Sequence, residues 1–316
     1  MIEILGITSP IFLIILIGYV VTSRGLFAKS EIQTVGKFVI NLALPALVFK
    51  ALSVCKIADI LNTSYLFAYA LGSFVALGVG YGWGWLVAGR KPLASAFYAM
   101  GSSCSNSGFV GFPILLLTVP SIAGVTLSLN MMVENFLIIP LLLVMLEQTR
   151  YGTGGWKTLK KLLIKLATMP LIIAMVAGFL ASYFALVLPP ILSRTIDMIS
   201  AASGALSLFV IGGALVGLPI GKVGKSIIPI MVGKLIIHPL GVAGGLALLS
   251  LFGLLPLERE VRMAAILSAA MPMMSIYSTL ALQYGQEEYA SVAQLFTTIA
   301  SFFTLSAFLW LFQHVL

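Results

Sequence analysis

The sequence predicts an all-α integral membrane protein of about ten transmembrane helices, arranged as two inverted five-helix repeats with broken, crossing spans 4 and 9. Three observations predict it. The 316 residues are 60% hydrophobic and only 9% charged, whereas a water-exposed surface needs about 25% charged residues. Apolar runs of membrane-crossing length follow one another with only short interruptions. Helix-breaking residues recur in the same order in the two halves of the chain.

A span needs roughly 20 mainly apolar residues, and such runs occupy 4–23, 33–55, 64–89, 93–117, 121–147, 167–188, 193–217, 226–252, 262–284 and 289–313. The first run follows Met1-Ile2-Glu3 with no basic stretch before it, so it reads as a span rather than a cleaved signal peptide. The breaks, Arg90-Lys91 and Leu257-Glu258-Arg259-Glu260 among them, leave no room for a soluble domain.

The net charge of +8 is carried mostly between spans, which fits contact with anionic lipid rather than nucleic acid. Arg24, Lys29, Arg90, Lys91, Arg150, Lys157, Lys160, Lys161, Lys165, Lys222 and Lys225 follow odd-numbered spans. Lys50, Lys56, Arg194, Arg259 and Arg262 fall on the other side. Because Lys and Arg favour cytoplasmic loops, the expected protein sits in the cell (inner) membrane with both termini on the non-cytoplasmic side. Lys157, Lys160, Lys161 and Lys165 then meet lipid heads. Cys55 and Cys104 form no disulfide framework, and His238 and His314 no metal pair; no cofactor is expected.

The longest break divides the chain into a first repeat (1–148), a cytoplasmic linker (149–165) and a second repeat (166–316). Span 1 has Pro10 and Gly18; span 6 has Pro170 and Gly178 at the same spacing. Spans 3 and 8 are glycine-rich, and spans 4 and 9 have small residues at their centres. An odd number of spans per unit forces the second copy to run inverted, a plan characteristic of secondary transporters with a midplane site.

Span 4 carries Gly101-Ser-Ser-Cys-Ser-Asn106-Ser-Gly108 at its centre and Pro113 after it. These residues compete for backbone hydrogen bonds or favour non-helical geometry, and Pro113 suits the start of a second half-helix. Span 9 has Pro272 mid-span, inside Met271-Pro-Met273-Met-Ser275-Ile-Tyr277. Two half-helix N-termini meeting at one point make an anion site. Asn106, Ser103, Ser105, Gly108, Pro272 and Ser275 are its candidate residues, with Met271, Met273 and Tyr277 as its apolar wall. The predicted substrate is a small organic anion, a carboxylate. The alternatives are close helix packing for the glycines and a simple kink at Pro272.

Glu134, next to Asn135 in span 5, is costly at that depth and must face the interior. It either carries a proton, a route to coupling, or makes a structural hydrogen bond. Lys234 in span 8 either balances a carboxylate, the substrate's or that of Glu134, or snorkels to an interface. His238 is a packing residue or a proton relay. Arg194 and Asp197, three apart, read as a helix-surface pair.

These residues resemble the auxin efflux carrier family, which includes plant auxin carriers and bacterial malate or malonate permeases. The likeness lies in Asn41-Leu-Ala-Leu-Pro45-Ala-Leu-Val-Phe, Asn106-Ser-Gly-Phe-Val-Gly-Phe-Pro113, Lys234-Leu-Ile-Ile-His-Pro239, and Ala270-Met-Pro272 through Ala281-Leu-Gln-Tyr284-Gly. The resemblance implies a scaffold of spans 1, 2, 6 and 7, a moving part from the others, elevator-like alternating access, and often a homodimer. It implies that Asn106 contacts the substrate carboxylate, that Leu44 to Val48 border the pocket, and that Glu134 and Asn135 stand near a substrate-contacting position. Ser105 replaces a proline of the plant proteins, and the central loop is short, as in a prokaryotic-type member. The coupling ion, a proton or Na+, is not legible.

Two other classes compete. Gly101-Ser-Ser, with Ser103 as nucleophile on an unwound segment, resembles the Gly-x-Ser of an intramembrane serine protease, with His238 as base, but that leaves the repeat and the break in span 9 unexplained. A channel or a receptor-like scaffold is the third reading.

Overall fold

A computed structural model describes residues 2–54, 62–87, 89, 91–151, 164, 167–217, 224–252, 257–274, 277, 280–281 and 284–314, and every regular element among them is a helix. In chain order these are α1 (Ile2–Ser23), α2 (Lys29–Phe38), α3 (Leu44–Ser53), α4 (Thr63–Val87), α5 (Pro92–Ser103), α6 (Phe112–Thr118), α7 (Ala123–Val133), α8 (Ile139–Tyr151), α9 (Pro170–Tyr183), α10 (Pro190–Ala201), α11 (Ser203–Ala214), α12 (Ile228–Val232), α13 (His238–Leu251), α14 (Arg259–Ala270) and α15 (Glu287–His314).

Joined end to end where they are continuous, these helices give six stretches long and apolar enough to cross a membrane. They are Lys29–Ser53, Thr63–Val87, Ala123–Leu146, Pro190–Ala214, Ile228–Leu251 and Tyr289–Phe312. Phe12–Ser23, Ser107–Thr118 and Pro170–Tyr183 are shorter apolar helices. The outward faces are apolar: Leu16 is 53% exposed and Phe303 67%. Such surfaces are unfavourable in water and at ease against lipid tails. The inward faces build an apolar core and add polar residues to it, Ser73, Ser102, Ser105, Asn130 and Ser207 all being buried.

Small residues decide which helices touch. A Cβ on Gly18 of α1 would fall 2.2 Å from the Phe209 carbonyl oxygen of α11, and one on Gly212 of α11 would fall 1.9 Å from the Ile15 carbonyl oxygen. The two backbones are therefore in direct contact, which only glycine permits. Gly178 of α9 meets α3 in the same way, its absent Cβ 2.9 Å from that of Leu52 and 3.0 Å from the Phe49 carbonyl oxygen. Gly18 and Gly178 each sit in such a close packing.

Four π-helical turns interrupt the described helices: Val39–Ala43, Ser107–Gly111, Glu134–Ile138 and Gly233–Ile237. Each ends two residues before a proline, namely Pro45, Pro113, Pro140 and Pro239. A proline has no N–H, and its ring clashes with the carbonyl four residues earlier. Widening the turn moves that carbonyl aside. The residue before each proline donates instead to the carbonyl five back: Leu44 to Val39, Phe112 to Ser107, Ile139 to Glu134 and His238 to Gly233. Three of the four turns carry a polar side chain of the site described next: Ser107, Glu134 and Lys234.

Candidate functional site

Helix α5 ends at Ser103, and helical structure resumes at Ser107. Helix α14 ends at Ala270, where Met271 turns extended (φ −62, ψ 155). The two extended segments run antiparallel, Ser105 opposite Met273. The Asn106 N–H donates to the Pro272 carbonyl at 2.9 Å, and the Met274 N–H to the Cys104 carbonyl at 3.2 Å. Each segment satisfies backbone groups that the other would leave orphaned in apolar surroundings. Pro272 suits its place, since only its carbonyl needs a partner there.

Asn106 starts the second half-helix. Its Oδ1 accepts from the Phe109 N–H at 3.2 Å, and its carbonyl accepts from Val110 at 3.1 Å and Gly111 at 2.9 Å, the pattern of an N-cap. The positive end of the helix dipole therefore opens at the crossing, while α5 and α14 bring their negative ends to it. Pro113 sits at the second position of α6, six residues after the break. The half-helix thus begins at Asn106, earlier than its proline.

Lys234 occupies the negative side. It is fully buried, and its ammonium donates to Ser105 Oγ at 2.9 Å, to the Ala269 carbonyl at 2.5 Å and to His238 Nδ1 at 2.9 Å. All three donors of the group are used, and one acceptor is the terminal turn of α14. Burial overturns the expectation that Lys234 snorkels to an interface. With Nδ1 accepting, His238 Nε2 carries the proton and faces Ser73 Oγ at 2.9 Å, and that hydroxyl passes its own to the Tyr69 carbonyl at 2.8 Å.

Glu134, also fully buried, lies across the crossing. Its Oε1 accepts from the hydroxyls of Tyr69 and Ser107, both at 2.9 Å. Its Oε2 has no hydrogen-bond partner of good geometry among the described residues, although the Ser105 backbone N–H lies within electrostatic reach of the carboxylate. Glu134 and Lys234 feel each other's charge without a direct ion pair among the described residues; Lys234 bonds Ser105 on the unwound segment and Glu134 bonds Ser107 at the start of the helix that follows it. Tyr65 adds a further link, its hydroxyl donating to Asn130 Oδ1 at 2.6 Å.

The remaining predicted residues divide. The place a Cβ would take on Gly108 lies 3.1 Å from the Leu44 side chain; Leu44 and Val48 are both buried. Met271, Met273 and Tyr277 are fully buried; the Tyr277 ring meets Phe97 edge-on at 5.9 Å, and its hydroxyl has no hydrogen-bond partner among the described residues. Asn135 turns away to its own helix, donating to the Met131 carbonyl at 2.9 Å. Ser275 lies outside the described residues. Ser103 donates to the Ala99 carbonyl at 2.9 Å, and both His238 nitrogens are engaged elsewhere, so the two form no nucleophile–base pair.

Beside the half-helix, between α1, α3, α10 and α11, lies a cavity of about 450 Å³ lined by Pro10, Leu47, Phe112, Pro113 and Leu208 among others. The charged residues in its wall are Lys50 and Asp197, paired at 2.7 Å with about half of each side chain exposed. Asp197 thus pairs with Lys50 on the neighbouring helix, and not with Arg194 three residues away as its spacing suggested.

Sequence reasoning passed over Tyr65, Tyr69, Ser73, Ser107 and Asn130. The signal was present: Tyr65, Tyr69 and Ser73 recur every fourth residue, as do Asn130 with Glu134 and Lys234 with His238. Each set forms one polar stripe on an apolar helix.

The family model described as "Membrane transport protein" matches residues 5–153 and again 154–310. A protein of Rhizobium meliloti (strain 1021) named "Putative malonate transporter" is 24% identical over 322 residues, covering 99% of this chain and 97% of that one.

Proposed function

This chain belongs to the membrane transport protein family, the family of the auxin efflux carriers, and from that premise we propose that it is a secondary carrier of small organic anions working by elevator-type alternating access. The protein is a membrane transporter and not an enzyme; its cargo on this reading is a carboxylate such as malonate or malate. The observation that carries the reading is the antiparallel pairing of two unwound segments, with Asn106 capping a half-helix there and a fully buried ammonium alongside. A helix N-terminus and a nearby cation both favour a carboxylate. The relative named for malonate covers the whole chain and supports the same class.

In this reading the ten spans form two inverted repeats, with spans 3, 4, 5, 8, 9 and 10 moving against spans 1, 2, 6 and 7, whose helices pack through glycine as α1–α11 and α3–α9. Glu134 is the coupling group for a proton or Na+, and Ser103, Ser105 and Gly108 shape the path. Residence in the cell membrane, with both termini on the non-cytoplasmic side, and assembly as a homodimer belong to the reading as well.

The test is counterflow of labelled malonate, malate and lactate in liposomes holding the purified protein. Asn106→Ala removes both a cap and the carboxylate contact. Asn106→Asp keeps the cap and sets a negative charge against the substrate. Asn106→Asp is expected to fold normally and lose about tenfold or more of its transport, the loss from one hydrogen bond to a charged group. Normal transport by that variant sinks the site assignment.

A further inference from the structure

We propose that the groove between α13, α14 and the end of α15 holds an acyl chain of an anionic phospholipid, whose phosphate rests on Arg259 and Arg262. The inference needs only a membrane around the chain and stands apart from the carrier reading. The groove has a volume of about 250 Å³; Ala243, Leu246, Ala247, Ile266 and Phe312 form its apolar part, and the two arginines stand in the same wall. Short side chains create it. Ala243, Ala247 and Ser250 follow at spacings of four and three along α13, hence on one face. Their neighbours Leu248, Leu251 and Phe252 are large and exposed. The face covers about 10 Å of helix, long enough to lay down several methylenes of a lipid tail. An apolar groove of this kind offers water no partners, and lipid fills it.

Charge decides which lipid. Arg259 Nη2 donates to the Phe312 carbonyl at 2.5 Å, which ties that guanidinium to the groove. Neither arginine pairs with a carboxylate among the described residues. The adjacent acids do not serve: Glu258 and Glu260 are absent from the groove wall, and the Glu260 carboxylate accepts from Ser121 Oγ at 3.3 Å. Both arginines are exposed, so a head group can reach them. Trp310, two residues before Phe312 and 43% exposed, marks the level of the head groups, where tryptophan concentrates. A phosphodiester matches the forked donors of guanidinium. A zwitterionic head group would bring a further cation against the two arginines, so a net negative lipid is favoured. The lipid also braces a short helix, since α14 runs from Arg259 to Ala270 at the crossing, where the Ala269 carbonyl receives Lys234.

The experiment is native mass spectrometry of the detergent-purified protein titrated with phosphatidylglycerol and phosphatidylcholine of equal chain length. The first lipid retained should be phosphatidylglycerol. Arg262→Gln should weaken its retention about fivefold, the scale of one basic side chain beside an anionic lipid. Ala247→Leu fills the groove and leaves both arginines, and should weaken retention of both lipids. Phosphatidylglycerol should also raise the thermal midpoint of the native protein more than that of Arg262→Gln, and equal midpoints without lipid show that the variant folds. Equal retention of the two lipids, or undiminished retention in Arg262→Gln, overturns the proposal. Displacement of the lipid by glycerol 3-phosphate overturns it too, in favour of a site for free phosphate. The carrier reading is decided separately, by the counterflow of Asn106→Asp.

Discussion

Lys234 and Lys50 bring the same ammonium group into two different settings. Lys234 is fully buried and has no carboxylate in contact; three neutral acceptors, Ser105, His238 and the α14 carbonyl end, take its three protons. Lys50 is half exposed and holds one carboxylate, Asp197. The difference follows from solvation. A buried charge must have every donor satisfied in fixed geometry, because nothing else is present to do it. An exposed one is served by water and pairs loosely. The buried lysine is therefore tied into the architecture of the crossing, whereas the exposed one is held loosely.

The largest effect is expected from removing the buried charge. Lys234→Met leaves the Ala269 carbonyl and Ser105 hydroxyl without their donor and the Glu134 carboxylate without its balancing charge. Loss of one member of such a set costs about 3–5 kcal/mol, read as a drop in thermal midpoint of the purified protein. Adding Glu134→Gln to Lys234→Met should recover part of it, because the uncompensated carboxylate is gone. A purely additive double variant means that the two charges do not interact.

Glu134→Gln alone tests the coupling. Glutamine imitates the protonated carboxyl and keeps its size. If a proton on Glu134 accompanies the substrate, native uptake is full where the carboxyl is protonated and falls as pH rises through its titration, and Glu134→Gln flattens that profile. An unchanged profile makes Glu134 a structural acceptor for Tyr69 and Ser107.

The third effect concerns the wide turns. Pro140→Ala restores an N–H that can close an ordinary bond to the Phe136 carbonyl, which would rotate Glu134 away from Tyr69 and Ser107. Transport is expected to fall several-fold with little change in stability, since removing an interior helix proline favours the helix by up to about 3 kcal/mol. Unchanged transport would mean that the side-chain bonds of Glu134, and not the proline, hold the turn open.

The helix-disfavouring residues at the ends of α5 and α14 are readable in the sequence, because their effect is local. Ser-Ser-Cys-Ser-Asn106-Ser-Gly and Met-Pro272-Met weaken a helix through their own residue types, whatever packs against them. The partners at the crossing were not legible. That Asn106 pairs with Pro272, or that Lys234 reaches Ala269, depends on how helices far apart in the chain are stacked. The spacing rule for charges on one helix also misassigned Asp197, since Lys50 arrives from α3 and wins on geometry. The π-helical turns follow from prolines visible in the sequence, but proline alone does not distinguish a wide turn from a kink. The polar stripes of α4, α7 and α13 were readable in their fourfold spacing, and only packing reveals that they face one another.

The smallest effect sharpens the contrast between the two lysines. In a double-mutant cycle on stability, Lys50→Gln and Asp197→Asn should couple by no more than about 1 kcal/mol, the ordinary ceiling for an exposed pair. The same cycle at Lys234 and Glu134 should give a larger value, although those two groups make no direct contact. Thermal midpoints of the four proteins in each cycle, at low and high salt, decide it. Salt should erase the first coupling and leave the second nearly intact, because screening reaches exposed charges and not buried ones. A strong, salt-resistant coupling at Lys50 would mean that Asp197 is a fixed brace between α3 and α10 rather than a loosely held surface partner.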